Sequence, residues 1–374
     1  MQKFVKTAKA IAILALTGLI SACSMVIPSV FPLDNLPVPT GPYQVGGQIL
    51  YWTDESRDEW FTEEASDKRR LVVQIWYPTS QQSGEAMDYL LNADRRLPRL
   101  AAQLNLWPPI IDHMRSVKTN AYRDAPLALG ENGQPRRLLV FSHGLGGTRN
   151  QNAVQAEELA SHGYVVISTD HAYDSYFTIF EDGSTADYRS GANGPLTTEE
   201  FWAFRSPQLA TRTADVRFML DRVGALNAAG DAFWQHVGVD HVGVFGHSYG
   251  GATSIMAGAS DTRIDAVIAL DGWMLPIPED KIDAGLKQPF LYLGQSSWTD
   301  PINYQKLDRM MAANTGVSRK RFLAGSIHGD FSDTPQFSSR AKRFGLIGDI
   351  PREELRVILN DEIRSFFDAH VKTD

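Results

Sequence analysis

The apolar positions of this chain follow two periods in turn. Short apolar runs at residues 138–142, 164–168, 242–245, 265–270, 289–293 and 320–324 read as strands. Residues 70–77 alternate and stop at Pro78, which marks an earlier strand. Helical spacing fills the intervals, over residues 151–162 (closed by Gly163), 211–223, 252–257 and 351–370. Strands that alternate with helices predict an α/β fold, a mostly parallel central sheet with helices on both faces. In such a sheet the reactive groups belong beyond the carboxyl ends of the strands. His143, Ser248, Asp271, Asp300 and His328 all occupy such positions in the pattern.

Two segments interrupt the alternation. Residues 81–130 read as a helical insertion. Residues 173–207 read as a long loop of mixed aromatic and polar character, suited equally to a lid or substrate wall and to a plain surface excursion.

The amino-terminal residues follow a different logic. Lys3, Lys6 and Lys9 precede an eleven-residue apolar run, 10–20, too short to cross a bilayer as a helix. Ile20-Ser21-Ala22-Cys23 then resembles a bacterial lipobox, and Cys23 is the one cysteine of the chain. The pattern predicts a signal peptide at 1–22, a lipidated Cys23, and an exported protein held in the cell envelope. Ser24 after the cysteine favours the outer membrane by the same resemblance. Residues 23–40, rich in proline, read as a tether, and residues 41–374 as one domain carrying the two insertions. With a single cysteine, no internal disulfide is possible.

Charge narrows the partners. The formal net charge is −8; without the three lysines of the first 22 residues, 33 basic face 44 acidic side chains, a balance of −11. Such a chain is poorly suited to nucleic acid or to electrostatic docking on anionic lipid. No His, Asp or Glu cluster has metal-ligand spacing, so no metal is expected, and no protein partner is indicated.

The chemistry centres on Gly246-His247-Ser248-Tyr249-Gly250-Gly251, which lies between a strand pattern and a helix pattern. This is the context of a Gly-x-Ser-x-Gly nucleophile elbow, whose sharp turn tolerates only small neighbours and exposes the serine at a helix N-terminus. A serine hydroxyl needs a base, and the base needs an acid to fix its tautomer. Chain order in this fold is serine, acid, histidine. His328, after the last strand, is the base of choice, because the other histidine beyond Ser248 is His370 in the terminal helix. His247, inside the elbow, reads as structural. For the acid, Asp271 and Asp300 both fit by position, and Asp300-Pro301 also fits a helix cap. An oxyanion needs two preorganised backbone N–H groups. Tyr249 supplies one, and Leu145, in the glycine-rich loop after Ser142, the other.

Four segments together resemble the plasma-type platelet-activating factor acetylhydrolase family. They are Phe141-Ser142-His143-Gly144-Leu145-Gly146, the elbow, Ala269-Leu270-Asp271-Gly272-Trp273-Met274 and Ser326-Ile327-His328-Gly329-Asp330-Phe331. The resemblance implies an α/β-hydrolase fold, Asp271 as the acid, no cofactor, and calcium-independent hydrolysis of short or oxidised sn-2 acyl esters of phospholipids. The elbow's Tyr249 replaces the phenylalanine expected in the family. Two other functions fit the same residues: a carboxylesterase of another class, such as a polyester or cutin hydrolase, and a surface lipoprotein that binds without catalysis.

Overall fold

A computed structural model of the chain describes residues 32–64, 66–191, 196–296, 298 and 300–373. The signal-like segment and Cys23 lie outside the described residues. The strands are β1 (Gln44–Asp58), β2 (Lys68–Thr79), β3 (Ala86–Asp88), β4 (Lys118–Arg123), β5 (Arg136–Ser142), β6 (Val165–Asp170), β7 (Phe177–Ile179), β8 (Thr185–Asp187), β9 (Val237–His247), β10 (Ile264–Leu270), β11 (Phe290–Gln295) and β12 (Ser318–Leu323). Ten of them form one sheet in the order β12-β11-β10-β9-β5-β6-β2-β1-β4-β3, and β7 and β8 pair as a small hairpin. From β12 to β6 all neighbours are parallel, whereas β2 joins antiparallel to both β6 and β1.

Each central strand is buried on both faces, so its side chains feed two cores by turns. In β5, Leu138 and Val140 join one core while Leu139 and Phe141 join the other. β6 divides likewise, with Val165 and Ile167 on one side and Val166 on the other. The helices Ala153–Ser161 and Arg352–His370 cover one face. The helices Thr198–Ala228, Tyr249–Ser260 and Ile302–Ala313 cover the other. Gly243 sits in β9 where a Cβ would meet the Phe367 ring 2.6 Å away, so its absence lets the last helix lie close to the strand.

Several elements differ from the sequence pattern. β1, fifteen residues long, carries no clean apolar–polar alternation, because Gly46, Gly47 and Asp54 take buried positions and four apolar residues run together at 49–52. The helix expected over 211–223 begins at Thr198, inside the segment read as a loop, and runs through Pro207. A capping box of Thr197 and Glu200 starts it. Residues 81–130 hold the helix Ala93–Gln103, single turns at Pro108–Ile110 and Asp112–Ser116, and also strands β3 and β4. The proline-rich arm is already on the body before Gly41. Leu36 is buried, Asp34 pairs with Arg352 at 2.6 Å, and the Thr40 N–H donates to Glu158 at 2.9 Å.

The chain runs from β5 to β6 on one side, then crosses to β9 on the other side of β5. The loops after β5 and β9 therefore part at a switch point, where an open α/β sheet forms its crevice.

Candidate active site

Ser248 stands between β9 and the helix Tyr249–Ser260 with φ 57° and ψ −118°, a strained conformation for a residue with a side chain. A Cβ on Gly246 would overlap the Gly250 carbonyl, and one on Gly250 would overlap the Ser142 carbonyl. The glycines are thus required by the close approach of turn, helix and β5, as the sequence predicts. Tyr249 is the first residue of the helix, where the N–H has no intrahelical acceptor.

Asp271 follows β10 directly, also with positive φ (44°), and its side chain is fully buried. Its carboxylate accepts four hydrogen bonds. His328 Nδ1 lies 2.6 Å from Oδ2, the Gln295 N–H donates at 3.0 Å, Gln295 Nε2 at 2.9 Å and Trp298 Nε1 at 3.0 Å. The carboxylate fixes the proton of His328 on Nδ1 and leaves Nε2 as an acceptor. The loop carrying His328 is tied by Asp330, whose carboxylate accepts from the Ile327 N–H at 2.7 Å and the Gly348 N–H at 2.9 Å. Burial pushes the Asp330 carboxyl up, against those two hydrogen bonds. Asp300 is not the carboxylate that meets His328: it accepts from the Ile302 N–H at 2.9 Å, just ahead of the helix Ile302–Ala313, whose N-cap is Pro301.

The glycine-rich loop after β5 rests on a buried polar cluster. His143 Nδ1 donates to the Gly144 carbonyl at 2.6 Å, and its Nε2 accepts from the His171 N–H at 3.1 Å. Arg212 donates to the His143 carbonyl and to Ser142 Oγ, and Ser142 Oγ lies 3.0 Å from His171 Nε2. His171 Nδ1 is 2.8 Å from Asp215, which also holds Arg69 at 2.6 Å. Burial, reinforced by Arg212, drives the imidazole of His143 well below its ordinary range and that of His171 down to about 3. Both rings are therefore neutral near pH 7. Burial would raise Asp215, but the Arg69 charge and the His171 hydrogen bond outweigh it and hold the carboxyl low.

Ser248, His328 and Leu145 line one cavity of about 370 Å³. Its apolar wall includes Leu90, Leu100, Met114 and Phe337, drawn from the 81–130 segment and from the turn Thr334–Phe337. Tyr176 also lines it, with a buried hydroxyl that lacks a hydrogen-bond partner among the described residues. Among the described residues no group of three or more His, Cys, Asp or Glu side chains is placed to hold a metal ion, and no helix is long and apolar enough to cross a membrane.

The structure thus brings together Ser248, His328, Asp271 and the Leu145 and Tyr249 loops. Gln151, Gln295, Trp298, Arg212 and Asp215 were not singled out by sequence. Polar residues away from a motif carry no periodic signal, and only the fold brings them near it.

Residues 29–373 match the family model described as platelet-activating factor acetylhydrolase, isoform II, and the chain belongs to that family. It is 27% identical over 266 residues to a platelet-activating factor acetylhydrolase of Gallus gallus, covering 64% of this chain and 63% of that one. The corresponding dog protein is 29% identical over 68% of this chain and 61% of its own length. The chain thus spans less than two thirds of these relatives. A probable 1-alkyl-2-acetylglycerophosphocholine esterase of Arthroderma benhamiae is 26% identical over 93% and 90% of the two chains. The solved ferulic acid esterase from Streptomyces cinnamoneus is 27% identical, with TM-score 0.73 over 90% of this chain and 93% of that one. The fold is that of the α/β-hydrolases.

Proposed function

We propose that this chain is a serine esterase that hydrolyses short or oxidised sn-2 acyl esters of phospholipids. One observation carries the reading: the nucleophile-elbow serine and a carboxylate-oriented imidazole open on the same largely apolar cavity. Ser248 Oγ attacks the ester carbonyl while His328 Nε2 takes its proton. Asp271 holds the imidazolium that forms. The Leu145 and Tyr249 N–H groups bind the oxyanion, helped by the positive end of the helix Tyr249–Ser260. His328 returns the proton to the leaving alcohol, and the acyl group stays on Ser248. Water, deprotonated by His328, then adds to the acyl carbonyl, and Ser248 Oγ leaves with the proton.

A cavity of 370 Å³ falls at the lower end of the range that encloses small organic ligands. It holds the acyl part, and its size disfavours long unmodified chains. A second reading, an esterase of aromatic acids, is favoured by the ferulic acid esterase neighbour and by the unpaired Tyr176 hydroxyl, which suits a polar ring substituent. Product analysis with acetyl- and palmitoyl-phosphocholine lipids beside methyl ferulate separates the two. Faster turnover of the acetyl lipid supports the first reading and faster turnover of the ferulate the second. No fluorophosphonate adduct on Ser248 would refute both and leave a binding protein.

The same reading places the enzyme on the cell envelope through a lipidated Cys23. Support comes from the lipobox pattern and from the arm, where Leu33 lines the cavity ten residues beyond the cysteine. Such a span reaches at most about 36 Å, so the anchor would keep the cavity near the membrane. Globomycin treatment should leave an unprocessed precursor.

A further inference from the structure

Four groups between the two loops that flank Ser248 are joined end to end. The Gly144 N–H donates to Gln151 Oε1 at 2.8 Å. Gln151 Nε2 lies 3.0 Å from His247 Nδ1. His247 Nε2 lies 3.1 Å from the His328 carbonyl oxygen. His247 and His328 also pack ring to ring, with centroids 4.5 Å apart. Elementary hydrogen-bond accounting allows one assignment of protons along this line. The Gly144 N–H can only donate, so the side-chain oxygen of Gln151 faces it and the amide NH2 faces His247. Nδ1 must then accept, which places the ring proton on Nε2. That proton meets a carbonyl, which can only accept. Both ends of the line are backbone groups, and the middle is locked between them.

We infer that Gln151 and His247 form a proton-ordered strut that sets the spacing between the oxyanion loop and the backbone of the catalytic histidine. They are positioning residues for the reaction and do not touch the reacting atoms. The anchoring of Gln151 fits this role. Its N–H donates to the Thr148 carbonyl at 2.9 Å, and its own carbonyl accepts from the Asp333 N–H at 2.9 Å. Its backbone thus ties the oxyanion loop to the segment just past His328. Burial, with the neighbouring His328, drives His247 well below its ordinary range, so the neutral ring that the strut needs is the stable one.

The inference rests on the serine esterase reading for its kinetic consequence, but its geometry can be read without activity. Neutron diffraction from the deuterium-exchanged wild-type protein should show deuterium on His247 Nε2 and none on Nδ1. Deuterium on Nδ1 would overturn the strut whether or not the protein is an esterase. Kinetics then test the role. Gln151→Leu and His247→Phe should each lower kcat by about 10- to 100-fold with KM within about threefold, since misplacement acts on the transition state. The double variant should be no worse than the poorer single variant, because either change breaks the same line. Unchanged kcat, a rise confined to KM, or multiplicative losses in the double variant would sink the proposal.

Discussion

The two loops that flank Ser248 are held in opposite ways. The oxyanion side, after β5, rests on a buried ionic cluster in which His143, His171, Arg212, Asp215 and Arg69 are all nearly sealed from solvent. The acid–base side, after β10 and β12, has a buried Asp271, but the His328 side chain is 40% exposed and meets that carboxylate through a single hydrogen bond. The difference suits the work proposed for each. Backbone donors must wait in place for a charge that develops, so rigidity helps them. An imidazole that takes and returns a proton needs one face open to substrate and water. Removing a group of the ionic cluster should therefore cost mainly stability, and a group on the second side mainly rate.

The largest expected effect lies at the shared point. Ser248→Ala should lower kcat by about 10⁶-fold, as loss of a triad nucleophile does, with little change in melting temperature. Ester hydrolysis beside thermal unfolding checks both halves. Asp271→Asn should lower kcat by about 10⁴-fold with the fold intact, by analogy with serine proteases, because the wrong tautomer of His328 is then favoured. Asp300→Asn should stay within a few-fold in kcat, since Asp300 only accepts from the Ile302 N–H at the start of a helix. A crippled Asp300 variant beside a mild Asp271 variant would overturn the assignment of the acid.

On the other side, Asp215→Asn should cost about 3–5 kcal/mol of stability, because it leaves Arg69 and its neighbours buried without their main counter-charge. Denaturant titration measures that loss. Turnover by the folded fraction at low temperature should remain within about tenfold, being a positional effect alone. A kcat loss as large as that of Asp271→Asn would erase the contrast between the two loops.

The smallest effect lies away from both. Burial pushes Glu157, in the helix Ala153–Ser161, up to about 7, against hydrogen bonds from Asn120. A folded-state value above the unfolded one means that its contribution is fully present below about pH 4.5. It is lost as pH rises through 7. Glu157→Gln should flatten the fall in stability between those pH values and leave the pH dependence of kcat unchanged. Urea midpoints across pH 4.5–8 would show it.

The elements that the sequence made legible are those with strong local rules. The parallel strands are short apolar runs, and the elbow is a spacing of glycines around a serine. β1 was not legible, because Gly46, Gly47 and Asp54 hold buried positions in it, so its apolar residues do not alternate with polar ones. The start of the helix at Thr198 was hidden by Pro207, which reads locally as a break. For the site, Ser248 and His328 follow from order along the chain. The choice between Asp271 and Asp300 did not follow from spacing, since both lie after strands in the right interval.

The sequence by itself determined the alternation of strands and helices, the turn that exposes Ser248, and the order of serine, acid and histidine. These depend on neighbours a few residues apart, where steric and hydrogen-bonding rules act directly. Only the tertiary structure decided what shores up the glycine-rich loop and which walls enclose the cavity, and it joined His328 to Asp271, a choice that spacing along the chain left open. Those contacts join residues tens to hundreds of positions apart, such as Asp271 with His328 and Arg69 with Asp215. Their pairing is set by the order of strands in the sheet, which no local pattern encodes.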